Sequence, residues 1–377
     1  YLEDSLNKCD ASIDLWWNSY ENMQGGVASY NIFMSENGGA FKFLSNVPSF
    51  ETSYRHFGIK KDSVYCYFVQ AVGNFPTETS SSNKVCTTAD VLIFPLFTYL
   101  KTATVQAHNE IYVEAYVDTL ADVLYYKLQR SLNPAYGFGT VQTQPFGAQE
   151  TISFVDKNVS TNESSYYYRV VPVSTCNKDM DTSNIGRTIL LQGTSNENLT
   201  NTIYWNAYED WSGKVLKYNI YRYANGTWST APIATVPSTT LKFVDDIQQF
   251  YQGDGYFCYI IEGIEASGNI YGFSEESKSN EMCVIQEPVL WIPNAFTPDG
   301  KNPTFHPYSL FTLADSYYMG IFNRWGQLIY ETHDINSGWD GTYQNQPATQ
   351  GIYAYVIRVK GTNGREIEKR GTVTLLK

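Results

Sequence analysis

Few residues in this chain have covalent or acid–base chemistry to offer: six cysteines, four histidines and some adjacent carboxylates in 377 residues. Cys66 and Cys86 stand twenty residues apart, and Cys258 and Cys283 recur at equivalent places further along. Each pair is expected to join the penultimate strand of a β-unit to its last strand, and a bridged loop of that size stabilises by roughly 3 kcal/mol in the chain-entropy picture. Two structural disulfides imply an oxidising, extracytoplasmic location. Cys9 and Cys176 are left over. Sandwiches in a row are expected to hold these two too far apart to bridge, so Cys9 is assigned a partner in an upstream domain and Cys176 remains a free thiol. A thiolate metal site is disfavoured, because there is no CxxC and His56, His108, His306 and His333 lie on unrelated segments.

No enzyme constellation emerges. Neither a Gly-x-Ser-x-Gly nor a glycine-rich phosphate loop occurs. Asp245-Asp246 and Glu275-Glu276 are neighbours, but adjacent residues on a strand face opposite ways and read as solvated edges, not as an acid/base pair. No cofactor or metal is assigned.

The elements that would carry these residues read as strands. The chain is 43% hydrophobic and 17% charged, with 31 Tyr and 20 Phe, so it is not disordered, and its ring-rich composition suits pleated, half-buried surfaces. Its length predicts several domains. The net charge of −12 lies wholly in the first 286 residues, since residues 287–377 hold eight Lys/Arg and eight Asp/Glu. An acidic body excludes nucleic acid and polybasic attachment to anionic lipid, and favours plain solubility. No run approaches the ~20 apolar residues of a membrane helix; Val91–Leu100 is short, broken by Pro95, and reads as a linker entering a strand. Beginning at Tyr1 with neither Met nor a signal peptide, the chain is expected to be a piece of a longer or processed protein.

An internal repeat organises the first three quarters. Leu15-Trp-Trp-Asn-Ser-Tyr-Glu21 matches Ile203-Tyr-Trp-Asn-Ala-Tyr-Glu209, which aligns Trp17 with Trp205 and Tyr20 with Tyr208. Tyr30-Asn-Ile-Phe33 then matches Tyr218-Asn-Ile-Tyr221, Cys66–Ala71 matches Cys258–Gly263, and Ser82-Asn-Lys-Val-Cys86 matches Ser279-Asn-Glu-Met-Cys283. A diverged copy lies between, with Tyr126–Arg130 and Tyr167–Val171 as the corresponding strands and Val113 at the tryptophan position. These units resemble fibronectin type III domains, a likeness that implies an all-β row of sandwiches in which Trp17 and Trp205 fill the space between sheets. The expected domains are 1–90, 91–192 (divergent), 193–286 and a fourth β-sandwich at 287–377.

The fourth unit carries other punctuation: Pro293-Asn-Ala-Phe-Thr-Pro-Asp-Gly300, Phe322-Asn-Arg-Trp-Gly326, Gly338-Trp-Asp-Gly341, Gly351-Ile-Tyr-Ala-Tyr355, then Lys369-Arg-Gly-Thr-Val-Thr-Leu-Leu-Lys377. Strands are expected at 318–322 and 327–330 around the Arg324-Trp-Gly turn. A hairpin of 352–360 with 370–376 should turn at Asn363-Gly364. The run resembles the type B C-terminal sorting domain of type IX secretion, the gliding-motility-associated C-terminal domain of Bacteroidota. Five blocks match in order: Asn294, Phe296 and Pro298; Asn323, Arg324, Trp325 and Gly326; Trp339, Asp340 and Gly341; Gly351 and Tyr353; Gly371 and Leu375. One departure is Asp299-Gly-Lys-Asn-Pro-Thr304, which has fewer carboxylates than the family's usual continuation, and no cation is assigned there. The resemblance implies Sec export, recognition by the type IX translocon with a PorP/SprF-type outer-membrane barrel as partner, and a secreted, cell-surface cargo such as a gliding adhesin. Thr372–Leu376 is a candidate edge for strand addition. An alternative reading is a carbohydrate-binding or accessory region of a secreted hydrolase, with Trp211 and Trp228 stacking sugars.

Overall fold

The structure, a computed structural model, describes residues 1–75, 78–251 and 253–376; Lys377, the last residue of the fifth block, lies outside them. Strands dominate, and the one helical element among the described residues is the 3-10 turn Gln248–Phe250. No helix among the described residues is long and apolar enough to cross a membrane.

Three successive units share one plan. In the first, Leu2–Asn7, Ser12–Trp17 and Ser53–Phe57 form a three-stranded sheet. It packs on a second sheet centred on Val27–Glu36 and Val64–Gly73, flanked by Lys42–Pro48, Thr79–Ser81 and Val85–Thr88. The pattern of Val64–Gly73 shows why: Tyr65, Tyr67, Val69 and Ala71 alternate inward to the core while Cys66, Phe68 and Gln70 face out. The second unit repeats the three-stranded sheet with Thr98–Ala107, Glu110–Val117 and Thr151–Asp156, and the third with Leu191–Asn196, Thr200–Trp205 and Lys242–Asp246. Each unit has its own buried apolar cluster. Trp17 and Trp205 sit in two of them, buried, and meet Tyr30 and Tyr218 edge-on at 5.5 and 5.6 Å.

A Ser-Asn pair closes every unit in the same way, including the middle copy, where sequence comparison had not found it. Asn83, Asn184 and Asn280 each accept the backbone N–H and donate to the carbonyl of one residue on the first strand, Leu2, Leu100 and Leu191 respectively, at 2.7–3.1 Å. The preceding serines, Ser82, Ser183 and Ser279, each accept an N–H from the long strand beside them (Val69, Val170, Ile261) at 2.9 Å. Two sheets that share no ladder are thereby tied by side chains that satisfy otherwise orphaned backbone groups.

The disulfides Cys66–Cys86 and Cys258–Cys283 link directly opposed residues of antiparallel strands, with Cα atoms 4.0 Å apart. The remaining two cysteines correct the expectation. Cys9 lies in the turn between the first two strands and is bonded to Cys176, with Cα atoms 5.8 Å apart. The first two units are not strung end to end with a gap. The turn at Cys9 packs on the turn after Tyr167–Ser174, and Lys8 pairs with Asp122 at 3.3 Å while Lys178 pairs with Asp10 at 3.2 Å. No described cysteine is free.

The second and third units meet over a larger contact. Tyr208 accepts the Ala103 N–H at 3.1 Å and stacks on Trp211 at 3.9 Å, and Trp211 donates its indole N–H to the Lys101 carbonyl at 2.6 Å. Trp211 is therefore buried in a joint between units and offers no sugar platform; Trp228 is half-buried against Tyr223. The Lys101 ammonium bridges Glu114 of its own unit and Glu275 of the next.

The fourth unit is a five-stranded sheet, Ala295–Phe296, Glu366–Leu375, Gly351–Gly361, Thr312–Phe322 and Leu328–Thr332 in spatial order, with the pairs Val289–Trp291/Tyr308–Leu310 and Thr342–Tyr343/Gln346–Pro347 beside it. The hairpin of Gly351–Gly361 with Glu366–Leu375 turns at Gly364, which takes φ +82°. The tail is seated on the third unit by Phe311, whose ring is buried in that unit's cluster. Phe311 holds φ +56°, a left-handed backbone costing about 1–3 kcal/mol for a bulky residue, and burial of the ring offsets it. Opposite stands Gly255, where a Cβ would lie 2.9 Å from the Phe311 side chain.

Candidate functional site

The titratable residues singled out from sequence turn out to hold the fold. Asp245 is buried and accepts both the Arg222 guanidinium, at 2.7 and 2.8 Å, and the Tyr259 hydroxyl, at 2.7 Å; its neighbour Asp246 is exposed and caps Gln248. The second unit has the same arrangement in Asp156, Arg130 and Tyr168. Burial pushes the Tyr168 and Tyr259 hydroxyls far above their ordinary range. In the first unit His56 stands where Asp245 stands in the third, 2.6 Å from the Tyr67 hydroxyl, and burial lowers its pKa below the ordinary 6.5. Glu275 is engaged by Lys101, and Glu276 is exposed. The donor atoms of Cys258, Glu281 and Cys283 lie within 4.8 Å of one another, but the two sulfurs are spent on their disulfide.

In the tail, the five blocks separate into residues that build the domain and residues that it displays. Trp339 is fully buried. It exchanges backbone hydrogen bonds with Phe305, donates its indole N–H to the Thr342 carbonyl at 2.8 Å, and packs on Phe296 and Tyr353 at 5.3 and 4.8 Å. Asp340 accepts the Thr342 N–H and hydroxyl at 2.9 and 2.7 Å, which fixes the turn. Gly341 sits at φ +80°, with space for a Cβ closed at 3.0 Å by Pro298 and 3.1 Å by Leu375. Tyr353 donates to the Thr349 carbonyl at 2.6 Å, and Leu375 is buried in the same cluster. Gly351 starts the strand opposite Leu375, and Gly371 makes room for the Tyr355 ring directly across the ladder.

The end of the terminal strand, from Thr374 to Leu376, does not offer the free edge expected of it. Ala295–Phe296 pairs with Thr374–Leu375 in parallel, the Thr374 N–H goes to the Asn294 carbonyl at 2.9 Å, and the Leu376 N–H goes to the Phe296 carbonyl at 2.9 Å. The first block folds back on the last, so both sides of the strand end are taken.

The Asn323–Gly326 block behaves differently. Asn323 accepts the N–H groups of Trp325 and Gln327 at 2.9 and 3.1 Å, and Gly326 adopts φ +77°, so these two make the turn. Arg324 and Trp325 have no such duty. Trp325 is 80% exposed, with the Arg324 guanidinium 5.2 Å from its ring centroid. Together they wall a cleft of about 570 Å³ whose floor and far side are Ile329, Tyr343, Gln344, Gln346, Pro347 and Ile352. No carboxylate lines it, and Arg324 is its one charged side chain. The residues lining it include no histidine, cysteine, serine or carboxylate. Sequence alone did not distinguish Trp325 from Trp339, because both read as ring-and-glycine turns.

No curated protein matches this chain. Among solved structures, the FN1–FN3 domains of chicken CNTN1 align at 12% identity over 76% of this chain and 97% of that one, with a TM-score of 0.23, too low to bear on the arrangement described above. Residues 290–375 match the family model described as CHU_C, type IX secretion signal domain. With that match, the unit that displays Arg324 and Trp325 is identified as a type IX secretion signal domain.

Proposed function

We propose that this chain is the stalk and sorting signal of a surface adhesin. A type IX signal implies export out of the cell through the type IX machinery. The sandwiches ahead of it are clamped to one another by the Cys9–Cys176 disulfide and by the Tyr208–Trp211 joint, as suits a spacer that holds a distal binding region off the surface. The cleft beside Trp325 is the part that a PorP/SprF-type outer-membrane barrel or another translocon component reads. One observation carries this assignment: Arg324 and Trp325 are adjacent exposed side chains, the guanidinium 5.2 Å from the ring centroid, and together they wall the cleft.

The test is export of the full chain in a host with working type IX secretion. Arg324→Ala/Trp325→Ala should leave a folded protein in the periplasm, with an unchanged melting temperature. Normal export of that variant would overturn the assignment of the cleft.

A further inference from the structure

The tryptophans expected to stack sugars do not form a platform, but another set of exposed rings borders a single cleft. Trp291 and Tyr308 are directly opposed across an antiparallel pair, which puts them side by side on one face, and they are 51% and 60% exposed. They line a cleft of about 680 Å³ at the junction of the third unit and the tail, completed by Tyr251 from the third unit and by Ser309, Thr312 and Asn336 from the tail. Single exposed rings are ordinary, whereas rings grouped around one cleft mark a binding surface.

Its chemistry is narrow. None of the lining residues is charged, in a chain of which 17% is charged. Anions, cations and charged peptides find no counter-charge there, while ring faces beside an amide and hydroxyls match a ligand with apolar C–H faces and uncharged hydroxyl edges. The halves of the cleft are also held in place. Phe311, buried in the third unit, sits in the loop that joins the Tyr308 strand to the next, and the His306 ring contacts Ile335 O at 2.6 Å beside Asn336. We propose that this cleft binds a neutral polysaccharide, with Trp291 and Tyr308 as the stacking platform and Asn336 bonding sugar hydroxyls. The site is separate from the Trp325 cleft and does not depend on its role.

Native affinity gels containing hydroxyethylcellulose, laminarin or galactomannan, with alginate as an anionic control, test it. At least one neutral polymer should retard the chain, and 0.5 M salt should not abolish the effect. Trp291→Ala/Tyr308→Ala should weaken retardation at least tenfold. Asn336→Asp, an exposed substitution that leaves the rings alone, should weaken it as well, whereas Trp325→Ala should not. Absence of retardation by all three neutral polymers, retardation by alginate alone, or full binding by the ring variant at wild-type melting temperature would each overturn the proposal. Loss of export in the ring variant without any polymer binding would assign the cleft to a protein partner and overturn it too.

Discussion

Two tryptophans fourteen residues apart in similar glycine-punctuated turns have opposite fates. Trp339 is enclosed by Phe296, Phe305 and Tyr353, so Trp339→Ala should cost about 3–5 kcal/mol in denaturant unfolding, the usual range for a large buried ring. Trp325→Ala removes an exposed ring and should change stability by no more than about 0.5 kcal/mol. If the two variants unfold alike, the division between building and displayed residues fails. His56 supplies a second prediction at this scale. Its folded pKa is lowered by burial, so the neutral ring is favoured in the native state and its contribution is complete above pH 6.5. That contribution is lost as pH falls from 6.5 through the lower folded value. Melting curves at pH 7.5 and 5 should therefore show the first unit weakening in acid, and His56→Gln should flatten the trend. No sequence pattern announced this, because the partner Tyr67 comes from the other sheet.

The strands themselves were legible. The strand around Cys66–Ala71, marked by its repeat at Cys258–Gly263, the Asn323–Gly326 turn and the Gly364 hairpin all follow from local sequence, since tight turns need residues that tolerate positive φ. The pairing of the terminal strand was not legible. A two-residue strand at Ala295–Phe296 has no periodicity to detect, yet it covers the end of the edge expected to be open. Gly341 shows how tightly that closure is built. Gly341→Ala should destabilise the tail by about 1–3 kcal/mol, because the backbone is left-handed and Pro298 and Leu375 already crowd the Cβ position. A shift in denaturant midpoint measures it, and wild-type stability would mean that the first block is not packed against the last.

At the scale of the whole molecule, the Cys9–Cys176 bond joins turns of different units over a separation of 167 residues. Cys9→Ser/Cys176→Ser should leave each sandwich folded while freeing the first from the second. Small-angle scattering should then show a larger radius of gyration, and an unchanged profile would mean that the salt bridges of Lys8 and Lys178 suffice. The sequence by itself determined an all-β chain, its repeated units, the two disulfides within them and the secretion signal at its end. All of these rest on residues near one another in the chain or on a spacing that repeats. Tertiary structure alone decided that Cys9 meets Cys176, that Trp211 is sealed between units, that Phe311 anchors the tail, and that Trp325 is displayed where Trp339 is buried. Burial and contact between distant segments depend on how whole sandwiches dock, and docking surfaces carry no periodic mark in the sequence.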